Sequence, residues 1–239
     1  MTDPLLELDH VTKRFGRVVI AEDLSFTVGP GDTVGIVGPN GAGKTSLFGL
    51  ISGDLSPGAG RVSFAGRTVT KLDAAARCRL GIGRTYQVPK PFTHMSVFEN
   101  VLAAAVHGGR MPVARAKSEA ETVLERVGLA HRALTPAGQL ALLDMKQLEL
   151  AKALALKPRL LLLDEIAGGL TEAECNILLD TIREVHQGGV TIVWIEHVIQ
   201  ALRRLVTRLA VLAGGNFIAM GAPQDVLADA RVREAYLGT

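Results

Sequence analysis

The sequence predicts an α/β fold built on a buried parallel sheet, and three features carry that expectation. Residues 160–163 are four consecutive leucines, followed by the carboxylates Asp164 and Glu165. Residues 190–195 form a second apolar run, followed by Glu196 and His197. Short aliphatic runs of this kind suit strands buried on both faces. The third feature is the stretch Gly38-Pro39-Asn40-Gly41-Ala42-Gly43-Lys44-Thr45, set between a short apolar segment (32–37) and a segment with a helical apolar face (45–51).

That stretch fits the phosphate-binding pattern G-x-x-x-x-G-K-[ST] at every specified position. Gly38, Gly41 and Gly43 allow backbone conformations closed to other residues and bring N–H groups close to an anion. The helix that starts near Gly43 adds unpaired N–H groups and the positive end of its dipole. Lys44 can reach the β- and γ-phosphates of a nucleotide. The Thr45 hydroxyl suits Mg²⁺, and Ser46 is placed for the α-phosphate.

The composition bounds the remaining possibilities. A chain of 239 residues with 48% hydrophobic and 21% charged residues holds one large or two small domains with a sizeable core. The formal charge of +2 argues against broad electrostatic binding to nucleic acid. Cys78 and Cys175, the two cysteines, are far apart and lack metal-ligand spacing, which fits a reducing compartment. Asp3, Pro4, Glu7 and Asp9 interrupt the start, so no signal peptide is expected. No apolar run approaches the ~18 residues that span a bilayer, so the chain alone is expected to be soluble.

Taken in order, residues 5–11 read as a strand, 12–17 as a turn carrying Phe15, and 18–28 as a further strand. Residues 29–32 form a tight turn. A loop at 56–60 precedes a short strand at 61–64 and a turn at 65–67. These early strands suggest an antiparallel sheet beside the nucleotide-binding core. A strand at 81–86 ends at Gln87. Pro89 and Pro91 then exclude regular helix. Ser96 and Glu99 form a capping box that opens a helix. Further helices are expected at 113–127, ended by Gly128, and from about 145 to 156, before Pro158. Thr171 and Glu174 cap a helix over 171–186. Residues 206–213 and 216–220 read as a hairpin around Gly214-Gly215, followed by two short helices.

The phosphate loop, Gln87, the 160–165 run and His197 occur in the order and approximate spacing of the ATP-binding subunits of ABC transporters, which the whole chain resembles. Within that family it is most similar to importers of branched-chain and other hydrophobic amino acids. The stretches that carry this likeness are 11–16, 84–87, 98–101, 167–171 and 194–197. The resemblance implies a P-loop NTPase core with an antiparallel β subdomain (1–87 and 158–239) and a helical subdomain (88–157). It implies ATP and Mg²⁺ as ligands. Asp164 becomes a Mg²⁺ ligand through water, and Glu165 the catalytic carboxylate that activates water. Gln87 senses Mg²⁺ and the γ-phosphate, His197 bonds the γ-phosphate, and Phe15 stacks on adenine.

The resemblance also implies partners: transmembrane permease subunits, a second ATPase subunit, identical or different, and indirectly a solute-binding protein. It places the chain in the cytoplasm, on the inner face of the membrane. The segment 88–97, with Phe92, Met95 and Val97, is the expected permease contact. One departure concerns the family signature, usually Leu-Ser-Gly-Gly-Gln, which falls at Leu140-Ala141-Leu142-Leu143-Asp144 and matches only at Leu140. Ala141 lacks the hydroxyl, Leu143 obstructs close backbone approach, and Asp144 adds a negative charge. A partner with an intact signature would complete this chain's site; alternatively, Leu143 and Asp144 point away and the helix N–H groups suffice. In addition, Ile166 and Thr171 replace the usual proline and aspartate. A soluble ABC ATPase acting on nucleic acid or ribosomes is a second function class, against which the single domain and balanced charge count; a regulatory or structural subunit with an impaired site is a third, against which the intact Lys44, Asp164, Glu165 and His197 count.

Overall fold

The computed structural model describes residues 3–237. Its elements begin with β1 (Leu6–Phe15), β2 (Val18–Val28), β3 (Thr33–Val37), α1 (Lys44–Ser52), β4 (Ala59–Phe64) and β5 (Arg67–Thr68). There follow α2 (Ala74–Arg79), β6 (Ile82–Arg84), α3 (Val97–Ala103), α4 (Val113–Arg126), α5 (Leu142–Leu154), β7 (Leu160–Asp164) and α6 (Glu172–Gln187). The chain closes with β8 (Thr191–Ile195), α7 (Ile199–Arg203), β9 (Arg208–Ala213), β10 (Asn216–Gly221), α8 (Pro223–Ala228) and α9 (Ala230–Leu237). These elements form two compact units. One takes residues up to 77 together with those from 191 onward, the other residues 78–190.

In the first unit β2-β1-β4-β5 make an antiparallel sheet, as the early strands suggested. β3 lies between β8 and β9, parallel to both, with Ile36 beside Ile195 and Val37 beside Val211. β9 and β10 form the expected antiparallel hairpin. Every residue of β3 and β8 is buried, which is why both read as unbroken apolar runs. The two sheets of this unit meet through Phe26 on β2 and Phe217 on β10, whose ring centroids are 5.1 Å apart.

Two readings of this unit are corrected. β1 does not stop at residue 11 but runs to Phe15, because Lys13, Arg14 and Phe15 pair with Ala21, Val19 and Val18. Cross-strand hydrogen bonds there outweigh the polar composition, and only Gly16-Arg17 remains as the turn. The short helices α2 and α7 were not anticipated. α2 nevertheless carries a start signal, since the Asp73 carboxylate accepts the Ala76 N–H at 2.8 Å.

Arg77 on α2 is fully buried, and its guanidinium closes the C-terminal end of α1. It donates to Leu50 O (2.6 Å), Ile51 O (3.0 Å), Leu72 O (3.0 Å) and Thr70 O (3.1 Å). A cation there satisfies carbonyls that have no partner within the helix and faces the negative end of its dipole. Burial pushes the Arg77 pKa down, and the nearby Asp54 carboxylate partly restores it.

In the second unit β6 and β7 pair in parallel, Ile82 beside Leu160 and Arg84 beside Leu162. β6 is shorter than expected, although Thr85 N–H still donates to Leu162 O at 2.9 Å. Both capping boxes are present, at Ser96/Glu99 and Thr171/Glu174. α5 starts at Leu142 rather than near 145, since Leu, Met and Lys favour helix and Asp144 suits a first turn. Residues 88–96 are non-helical, as their prolines require. Buried Asn100 organises this stretch: its Oδ1 accepts Phe92 N–H (2.8 Å), and its Nδ2 donates to Phe92 O (3.1 Å) and Ser96 O (2.9 Å).

Replacing Arg77 with Met leaves four carbonyls short of a donor, those of Leu50 and Ile51 buried and those of Leu72 and Thr70 partly so. At ~1 kcal/mol or more for each unmade bond, less the relief of a buried charge, the loss is about 2–4 kcal/mol. Thermal unfolding of Arg77→Met is expected to show a Tm lower by roughly 5–15 °C. An unchanged Tm would mean that the guanidinium does not hold the end of α1.

Candidate functional site

The first unit carries the phosphate loop at the C-terminal end of β3, the edge at which parallel sheets bind ligands. A Cβ at Gly38 would lie 2.1 Å from Leu212 O, so the loop leaves β3 in direct backbone contact with the end of β9. Gly43 has φ +98°, and a Cβ there would lie 2.7 Å from Ile20 O. Glycine at these two positions lets the loop fold tightly onto its own sheets. Ala42 N–H donates to Pro39 O at 3.2 Å, which closes the turn over Asn40 and Gly41.

Gly43 caps α1 without any side-chain hydrogen bond, and no acidic residue lies in the first turn. Backbone N–H groups and the dipole therefore face outward as an anion cradle. Lys44 is 6% exposed, and its Nζ donates to Gly38 O (2.8 Å) and Pro39 O (3.0 Å). The ammonium is thus held inside the loop. Thr45 is exposed and Ser46 half-buried, so both hydroxyls sit at the mouth of the cradle.

His197 follows β8 and is exposed. Because Ile195 pairs beside Ile36, the ends of β3 and β8 reach the same sheet edge. His197 N–H donates to the carboxylate of Glu196, itself 1% exposed, at 3.1 Å. Phe15, at the tip of the β1–β2 hairpin, is 49% exposed, with Lys13 Nζ 4.9 Å from its ring centroid. An aromatic ring half exposed in this way can stack on a base.

The second unit brings Gln87, Asp164 and Glu165 together at the ends of β6 and β7. Gln87 Nε2 donates to Glu165 Oε2 at 2.5 Å, which leaves the amide oxygen as an acceptor. Glu165 is half-buried, with φ +45°, a region few non-glycine residues occupy. Asp164 is 1% exposed, and its Oδ2 accepts from Arg84 Nη2 at 2.9 Å. Thr85 Oγ1 accepts the Asp164 N–H at 3.2 Å.

Two residues of this arrangement were missed by sequence reasoning. Lys146, 3% exposed on α5, donates from Nζ to Gln87 O (2.8 Å) and Glu165 O (3.3 Å). It ties the two strand ends together and so sets the spacing of the Gln87 and Glu165 side chains. Its signal was a lysine amid the apolar face of a helix. Arg84, the half-buried partner of Asp164, stood in a stretch singled out only for its likeness to the family.

The signature segment lies at the start of α5. Ala141 is exposed and caps the helix without a side-chain bond, while Leu142 is 41% exposed. The Asp144 carboxylate lies 3.5 Å from Arg132 Nε, so its charge is matched within its own unit. In the segment 88–97, Val88 (70%) and Phe92 (59%) are exposed and Met95 is half-buried. Val97 is fully buried at the first turn of α3, so it belongs to the core and is removed from the expected contact surface.

Three comparisons bear on this geometry. The model of the ABC transporter family matches residues 21–168, and that of the branched-chain amino acid ATP-binding cassette transporter matches residues 218–239. The chain is 33% identical to the high-affinity branched-chain amino acid transport ATP-binding protein LivG of Salmonella typhimurium, over 100% of this chain and 99% of that one. It is 32% identical to the lipopolysaccharide export system ATP-binding protein LptB of Acidithiobacillus ferridurans, over 98% and 97% of the two chains. Among solved structures, the ADP conformation of an ATP-binding cassette of an ABC transporter superposes with a TM-score of 0.89 at 30% identity, covering 100% of both chains. A phosphate loop at a parallel sheet edge and full-length likeness to such cassettes lead to one assignment: this chain belongs to the ABC transporter family and is an ATP-hydrolysing subunit.

Proposed function

We propose that this chain powers the import of branched-chain or other hydrophobic amino acids through separate transmembrane permease subunits. The observation that carries the reading is the match of the branched-chain family model to residues 218–239, outside the span of the general ATPase model. LivG, similar over its whole length, supports it. LptB is similar over nearly the same length, so likeness of the ATPase core does not by itself choose the solute, and the C-terminal match is what supports the amino-acid reading. Among the described residues no helix is long and apolar enough to cross a membrane. The chain then acts at the cytoplasmic face, held there by its permease partners and paired with a second ATPase subunit.

Each side chain takes the task its surroundings suit. The N–H groups of the 38–46 loop and the start of α1 bind the phosphates of ATP. Lys44 exchanges Gly38 O and Pro39 O for phosphate oxygens. Thr45 in one unit, and Asp164 and the amide oxygen of Gln87 in the other, are hard oxygen donors of the kind Mg²⁺ takes, and the ion would neutralise charge on the phosphates. Asp164, already bonded to Arg84, serves through water. Glu165 orients water and accepts its proton, with its own carboxylate aligned by Gln87. His197 donates to the γ-phosphate, and Phe15 stacks on the base.

The solute assignment is tested by reconstituting the chain with its permease subunits in vesicles. ATP hydrolysis is expected to rise with a solute-binding protein loaded with leucine, isoleucine or valine, and not with one loaded with ribose. Equal stimulation by both, or by neither, would remove the amino-acid reading.

The catalytic assignment is tested on Glu165→Gln. ATP binding is expected to persist while steady-state hydrolysis falls at least ~10²-fold, the scale of a lost general base. Undiminished turnover would assign the proton to another group.

Phe92, exposed on the loop that Asn100 holds, is proposed as the centre of the permease contact. Phe92→Glu is expected to keep basal hydrolysis and lose stimulation by the assembled permease. Retained stimulation would place the contact elsewhere.

A further inference from the structure

A second concave site lies wholly within the 78–190 unit. It is a cavity of about 170 Å³ between the end of α2, the turn that follows α3 and the loop joining α5 to β7. Arg79, Arg110, Lys157 and Arg159 line it, and no acidic side chain does. The chain as a whole is almost balanced, with 26 basic and 24 acidic residues, so four cations around one small cavity are a local concentration. Lys157 also engages Glu119 outside the lining, at 2.6 Å.

The backbone around this cavity is specialised. Residues 104–108 form a π-helical turn, a rare form often found at functional sites. Gly109 packs so closely that a Cβ would lie 2.7 Å from Ala105 O. Arg110 and Lys157 both adopt φ +52°, a left-handed conformation disfavoured for long side chains. Arg159 N–H donates to Gly81 O at 2.9 Å, joining two of the three lining segments. Two cations thus stand on strained backbone at the rim of one cavity.

Arg79 and Arg110, brought beside the already paired Lys157 and with Arg110 on unfavourable backbone, make a positive rim that fits a bound anion. The volume limits that anion. Sites for whole organic ligands run to about 300–1,000 Å³, so this cavity holds a phosphoryl-sized group rather than a nucleotide. We propose that the cavity binds a phosphoryl-bearing anion, supplied either as a free phosphate or as the headgroup of an anionic lipid. This site is separate from the phosphate loop and independent of the proposed transport substrate.

Cys78 lines the cavity and reports on it, while Cys175 does not and serves as an internal reference. The rate of alkylation at each thiol is followed by peptide mass spectrometry on the full chain. Inorganic phosphate, vesicles of phosphatidylglycerol and vesicles of phosphatidylcholine are compared at ionic strength matched with KCl. Saturable slowing at Cys78 alone by inorganic phosphate identifies a free anion as sufficient. Slowing only by phosphatidylglycerol vesicles identifies a lipid headgroup. In either case Arg79→Gln and Arg110→Asn are each expected to weaken the protecting effect about tenfold or more. Asn accepts the left-handed backbone at 110, and basal ATP hydrolysis with an unchanged Tm certifies the fold. If Cys78 is protected by neither probe, or equally by KCl and phosphatidylcholine, or if both variants are protected like the parent chain, the proposal fails.

Discussion

The phosphate site depends on one constraint, the parallel placement of β3 between β8 and β9. Parallel strands deliver their C-terminal ends to the same edge, so the loop after β3 and His197 after β8 emerge together. The same pairing presses Gly38 against Leu212 O, where any side chain would collide. From there the path to α1 is nearly determined. The loop must turn at once and enter the helix with bare N–H groups, which is the condition for holding phosphate. Arg77 completes the arrangement from the far end of α1 by neutralising the carbonyls the helix leaves open.

In the other unit a buried ammonium does the equivalent work. Lys146 cannot hydrate at 3% exposure and takes backbone carbonyls instead. Those carbonyls belong to Gln87 and Glu165, so the requirement to satisfy one cation also sets the registry of two polar side chains. Arg84 and Asp164 solve a similar problem as an ion pair across the adjoining positions of β6 and β7. Pairs of this kind contribute little net stability when buried, and what they confer is a defined arrangement.

Features governed by local chemistry were legible in the sequence. The glycine loop, both capping boxes, the four-leucine strand and the closing hairpin each need only a few neighbouring residues to be recognised, and each stands where expected. Features governed by distant partners were not. β1 continues to Phe15 because of what β2 offers it, and Val97 is buried by packing that its neighbours do not announce. Lys146 is marked only by its place amid the apolar face of a helix, and Arg84 by nothing local, until the fold places carbonyls and a carboxylate beside them. Among the candidate site residues, Lys44, Thr45 and Asp164 were apparent from spacing and position. Gln87, His197 and Phe15 rested on family likeness, because a single polar or aromatic residue after a strand has no chemistry of its own to mark it.

The backbone of Glu165 sets two demands against each other. Its φ of +45° is one that glycine or asparagine adopts with less strain. A chain selected only for stability would drift toward those residues, and in doing so would lose the carboxylate. On the catalytic role proposed for Glu165, this is a position where conformational comfort is exchanged for chemistry, and where stability-driven redesign would erase activity first.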